Sequence, residues 1–119
     1  MYRMLTFSVL AAVMLLSACQ DKTPEATRQV QIASQQLVPG DSELAGIYQR
    51  SCRSCHTIAA TGAPLAGDAV AWAPRMQRGM PAMIDSVING AGGMPPLGMC
   101  MDCSEEQFEA LIRFMAGGS

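Results

Sequence analysis

Cys52-Arg53-Ser54-Cys55-His56 is the stretch on which the reading of this chain turns. Two thiols three positions apart, followed at once by an imidazole, form C-x-x-C-H, the attachment pattern for c-type haem. Thiols at that spacing can add to two vinyl groups on one side of a porphyrin. The adjacent imidazole then reaches the iron from the proximal face. His56 is the only histidine in 119 residues. A two-Cys, two-His zinc finger, or any site built on two imidazoles, is therefore excluded.

An iron held by one histidine needs a sixth partner or keeps an open position. Met94 is the candidate, because Gly92-Gly93-Met94-Pro95-Pro96 joins a backbone able to approach a ligand closely to one stiffened by proline. Met99 and Met101 are the alternatives. Met83 and Met115 sit on apolar helical stripes and read as core.

Around the motif the chain reads as all-α, with three to five helices. Asp41 or Ser42 can cap a helix that carries Leu44, Ile47 and Tyr48 on one face. Met80 to Ile88 has helical periodicity and stops at Asn89-Gly90. Residues 62–67 are a loop, and 90–103 are too irregular for a helix. Ser104-Glu105-Glu106-Gln107 is a capping box, followed by the stripe Phe108, Leu111, Ile112 and Met115. Nothing alternates with period two over a useful length. Aromatics are 5% of the chain. So small a domain, with so few large side chains, calls for a non-peptide body in its core.

The N-terminus reads as a leader. Arg3 supplies a positive charge, Leu5 to Leu16 an apolar run, and Leu16-Ser17-Ala18 a small-residue cleavage site. The run is shorter than the roughly 20 residues a spanning helix needs, so an uncleaved anchor is the lesser reading. Leu16-Ser17-Ala18-Cys19 resembles the lipobox of bacterial lipoproteins, which implies a lipid-bearing Cys19. Ordinary secretion with a free Cys19 is the plain alternative. The divisions are then 1–18 signal peptide, 19–40 lipidated N-terminus and flexible tether, and 41–119 haem domain. A short helix around Arg28–Leu37 is allowed within the tether. A coil of about 20 residues would span roughly 25 Å. Loss of Arg3 leaves seven basic against ten acidic residues, a formal charge of −3. With no basic patch, nucleic-acid binding is excluded.

From Tyr48 onward the chain resembles the class I c-type cytochromes, in particular the bacterial c-five subgroup. The resemblance is carried by Tyr48-x-x-x-Cys52-x-x-Cys55-His56, Gly62-Ala63-Pro64 with Gly67-Asp68, Ala71-Trp72-Ala73-Pro74-Arg75, Met94-Pro95-Pro96 and the last helix with Phe114-Met115. It implies two terminal helices crossing nearly at right angles around one covalently bound haem c. It also implies a Pro64 carbonyl that accepts a hydrogen bond from His56. Trp72 and Arg75 are placed like residues that meet a haem propionate. Leu44 departs from the family, many of whose members have glycine at the crossing; Gly46 or Ala45 is left for that role. Some c-five members carry a disulfide where this chain has Cys100-Met101-Asp102-Cys103, which implies a Cys100–Cys103 bridge. That bridge is expected to be structural, with a redox-active dithiol as the alternative.

The function expected from these readings is one-electron transfer by a His/Met-ligated haem, not enzymatic catalysis. The expected setting is the periplasm, with a monomeric domain lipid-anchored to a bacterial membrane, inner or outer. Its partners would be redox proteins: a membrane oxidase or reductase, or other cytochromes. Two readings compete. A peroxidase-like haem enzyme or gas sensor would need a distal acid–base group, and the sole histidine is already used. A zinc-binding structural lipoprotein would need all four of Cys52, Cys55, Cys100 and Cys103, across a gap longer than common zinc-ribbon spacings.

Overall fold

A computed structural model describes residues 24–117. Cys19 and the leader lie outside the described residues. Among the described residues there are helices and one isolated β-bridge but no strand. Six α-helices follow one another: α1 Pro24–Gln36, α2 Ser42–Ile47, α3 Arg53–His56, α4 Ala69–Met76, α5 Met80–Asn89 and α6 Glu105–Met115. A π-turn, Tyr48–Cys52, joins α2 to α3 without leaving the right-handed region, so Ser42 to His56 forms one continuous rod. Counted that way there are five α-helices among the described residues, within the expected range.

The ends of these helices are fixed by local chemistry. The Asp41 carboxylate accepts from the Leu44 N–H at 2.9 Å and starts α2. Asp68 does the same for α4, accepting from the Ala71 N–H at 3.2 Å. Ser104 and Gln107 satisfy each other's backbone donors at the start of α6. The α4 helix is not legible in the sequence, because Pro74 lies inside it and reads as a breaker. Its missing N–H is tolerated because the Val70 carbonyl, which it would have met, belongs to a residue exposed to water. The 90–103 segment is not wholly irregular: Pro96–Met99 forms a short 3₁₀ turn.

The core brings α2 and the π-turn against α6, with α4 and α5 closing one side. Ile47, Tyr48, Trp72, Met83, Ile84, Phe108, Leu111, Ile112 and Met115 are buried together. Tyr48 meets Phe114 edge to face, with ring centroids 5.1 Å apart and planes at 79°. Leu44 packs partly against this cluster. Gly46 does not mediate the crossing; it is exposed, and nothing lies within 4 Å of where a Cβ would stand.

One expectation is corrected here. Within the segment read as tether, residues 24–36 form α1, which takes in most of the short helix allowed around Arg28–Leu37, begins earlier than it, and docks on the rest of the chain. Ser34 is fully buried, and Gln31, Gln35 and Leu37 all reach the domain. A polar, aromatic-free composition hid this. Apart from Leu37, the docking uses amide side chains and backbone groups, which carry no hydrophobic signature.

Candidate functional site

The rod from Ser42 to His56 positions the three residues of the motif. The π-turn ends at Cys52, and α3 then carries Cys55 and His56 at its far end. π-turns recur at functional sites because they reset which side chains share a face. Cys52 and Cys55 are both free thiols; Cys52 is half-buried and Cys55 exposed. Burial pushes the Cys52 thiol up to about 11, against a smaller opposing effect of the Arg50 guanidinium. At neutral pH it is therefore a protonated S–H, the form whose hydrogen and sulfur add together across a vinyl bond.

His56 is buried. Its Nδ1 lies 2.8 Å from the Pro64 carbonyl oxygen, so the N–H sits on Nδ1 and the lone pair on Nε2. Burial holds the imidazole below its usual range, the Pro64 bond opposes that, and the nearby Arg75 guanidinium adds to the lowering. All of this favours a neutral ring with a donor lone pair on one defined nitrogen. The loop that supplies the carbonyl is itself fixed: the Ala66 N–H donates to the His56 carbonyl at 2.7 Å, and the Gly67 N–H to the Met115 carbonyl at 2.7 Å.

Trp72 stacks on His56, with centroids 5.8 Å apart and planes at 29°. Its indole N–H donates to the Leu65 carbonyl at 2.9 Å. The single donor of the indole is thereby engaged by Leu65. Nothing in the sequence singles out Leu65, because a backbone carbonyl leaves no mark there. Arg75 gives one N–H to the Ala71 carbonyl at 2.6 Å and, with five donors, retains others for an anionic group.

The methionine segment is built differently. The Ala91 and Met94 backbones exchange hydrogen bonds at 3.1 and 2.9 Å around Gly92-Gly93. Gly90, at φ +82°, lies against the Met94 carbonyl; a Cβ there would stand 2.8 Å from it. Leu97 and Met99 adopt left-handed conformations at φ 59° and 66°, uncommon for non-glycine residues. Met94 is half-buried and packs on the core, with its terminal methyl against Gly98. Met99 and Met101 are 72% and 79% exposed. Of the three candidate thioethers, only Met94 is turned inward.

Cys100 and Cys103 form a disulfide, with Cα atoms 5.4 Å apart. Their thiols are thereby withdrawn from a four-cysteine zinc site. Arg50 approaches this turn, at 3.5 Å from the Asp102 carboxylate and 3.7 Å from Cys100 Sγ. Nothing local to Arg50 connects it with residues fifty positions away.

Two free thiols beside a neutral imidazole with one directed lone pair, together with an inward thioether, fit a covalently bound haem. Tyr48 adds a further sign, since its buried hydroxyl has no hydrogen-bond partner among the described residues. Such an orphan costs about 1–3 kcal/mol unless another group meets it.

Comparison with known proteins agrees. A family model described as cytochrome c oxidase, cbb3-type, subunit III, matches residues 40–115. Cytochrome c5 of Ectopseudomonas mendocina is 37% identical over 73 residues, covering 60% of this chain and 84% of that protein. Cytochrome c5 of Azotobacter vinelandii is 33% identical over 73 residues, covering 60% and 88%. Cytochrome c-555 of Chlorobaculum tepidum is 36% identical over 76 residues, covering 60% and 70%.

Proposed function

This chain belongs to the class I c-type cytochromes, and from that premise we propose that it is a membrane-anchored, periplasmic one-electron carrier with His56 and Met94 as axial ligands. The family carries covalently bound haem c, typically one per chain, and serves electron transfer with redox partners. The haem, when bound, supplies one iron that alternates between ferric and ferrous. The remaining work falls to the polypeptide.

Cys52 and Cys55 would hold the haem by thioethers, which keeps it in place through every redox cycle. His56 would give its Nε2 lone pair to the iron. The Pro64 carbonyl holds the ring's orientation and raises its basicity through the Nδ1 hydrogen bond. Trp72 backs the imidazole from one side. The Met94 thioether would close the sixth position, which raises the potential relative to two nitrogen ligands and leaves no place for a substrate. Arg75 is the residue best supplied with donors for a propionate. A rigid ligand set changes little between oxidation states. The chain thus contributes low reorganisation and no bond chemistry, and its partner contacts should be small and transient.

The observation that carries this reading is the buried His56 with Nδ1 committed to Pro64, immediately after two free cysteines. Membrane attachment rests on Cys19 and the leader that precedes it; no helix among the described residues is long and apolar enough to cross a membrane. The test is spectroscopic. Ferric protein matured with haem should show a methionine-to-iron charge-transfer band, and Met94→Ala should abolish it and open the iron to added imidazole. A band that survives the substitution assigns the sixth ligand elsewhere.

A further inference from the structure

The α1 helix lies outside residues 40–115, the region matched by the family, yet it is fastened to the haem-attachment loop. The Arg53 guanidinium donates to the Gln35 carbonyl at 3.0 Å, from inside the C-x-x-C-H motif itself. The Gln35 amide donates to the Thr57 carbonyl at 3.4 Å. The Ala59 N–H donates to Gln31 Oε1 at 2.6 Å. Leu37 lies over the Gly67 backbone, and Ser34, part of α1, is fully buried.

These contacts give the helix a direction. Leu37, Gln35 and Gln31 meet residues 67, 57 and 59 in turn, while Glu25 and Gln29, both exposed, bond each other. The N-terminal turns of α1 therefore leave the domain beside Ala59–Thr61. That short turn is tied to the motif by the Thr61 hydroxyl, which donates to the Cys55 carbonyl at 2.8 Å. Pro24 stands roughly 10 Å along the helix from Gln31. Cys19 lies five residues before Pro24, a covalent reach of at most about 17 Å.

We propose that α1 is a stalk rather than a leash: it holds the haem-attachment face, Cys55 to Thr61, toward the membrane that carries Cys19, and so selects a redox partner embedded in that membrane. This rests on lipid attachment at Cys19. Charge favours the same orientation. From Leu44 to Gly67 the chain has Arg50 and Arg53 but no aspartate or glutamate, although the protein as a whole is acidic. Arg50 is paired with Asp102 and α1 carries Glu25, while Cys55 to Thr61 itself carries no carboxylate to be repelled by anionic headgroups. Ile58, 37% exposed, and Ala60, also exposed, add an uncharged surface to it. A soluble partner collected at a distance would need the long, freely swinging tether that α1 replaces.

The test uses the lipidated holo-protein in vesicles of phosphatidylethanolamine and phosphatidylglycerol that carry a headgroup fluorophore, with the bound haem as the energy acceptor. Two variants lengthen or loosen the connection: a Gly/Ser insertion of about twelve residues between Lys22 and Thr23, and Ala33→Pro, which breaks α1 outside the haem domain. The insertion extends the maximum reach to roughly 60 Å, and quenching should fall by about twofold or more. Ala33→Pro should lower it in the same direction. Unchanged quenching in either variant overturns the stalk. Flotation with the vesicles, lost in Cys19→Ala, separates the two claims. A native protein that fails to float overturns anchor and stalk together, whereas flotation with unchanged quenching overturns the stalk alone.

Discussion

The two sides of the candidate haem site are held by different means. On the histidine side, every functional group is fixed by a neighbour's backbone: His56 by the Pro64 carbonyl, Trp72 by the Leu65 carbonyl, and their loop by the end of α6. On the methionine side, backbone hydrogen bonds shape the turn, but none holds the thioether itself. Met94 depends on a glycine turn, two left-handed non-glycine residues and a disulfide four residues wide. The lesson is one of placement. An imidazole needs its orientation and tautomer specified, which hydrogen bonds do well. A thioether has no hydrogen to direct, so its position has to be set by the shape of the chain that presents it.

The contrast can be broken at its common dependency first. Both sides are expected to collapse without haem, since the domain has few large side chains of its own. Cys52→Ala with Cys55→Ala, produced without haem, should lose most of its native helical circular dichroism. A folded apo-domain would mean that the polypeptide core suffices. Next in size is a change confined to the methionine side. Gly90→Ala places a Cβ against the Met94 carbonyl at a φ that disfavours L-residues. It should cost about 2–3 kcal/mol and weaken the methionine charge-transfer band, with the His56 ring unaffected in NMR spectra. Replacing Cys100 and Cys103 with serine should cost about 2 kcal/mol by loop entropy. Amide exchange should accelerate in residues 91–100 and stay unchanged in 56–67; equal acceleration in both would erase the distinction between the sides. The smallest effect belongs to the histidine side. Trp72→Phe keeps an aromatic ring beside His56 but removes one of the two donors to the buried Leu65 carbonyl, which keeps the Asp68 N–H, a loss of about 1 kcal/mol read by denaturant unfolding.

Much of this was legible in the residues. The C-x-x-C-H run specifies a cofactor because its spacing matches the chemistry of attachment, whatever the surrounding fold. The ends of α2, α5 and α6 were readable from Asp41, Gly90 and the Ser104–Gln107 box, since caps act over three or four residues. By contrast, α4 was hidden by Pro74, and the early start and docking of α1 by a polar composition that reads as linker. The roles of Leu65 and Arg50 could not be read either. One acts through a backbone carbonyl and the other across fifty residues of sequence.

What the sequence determined by itself is therefore local chemistry: which residues can attach a haem, which nitrogen-bearing side chain can bind iron, and where helices begin. Those properties depend on neighbours within a few positions. The tertiary structure decided the rest: that Trp72's only donor is spent on Leu65, that Met94 turns inward while Met99 and Met101 face water, and that the segment before the domain is a docked helix. Each of these depends on which distant groups compete for the same hydrogen bond or the same buried space, and only the folded chain brings those groups together.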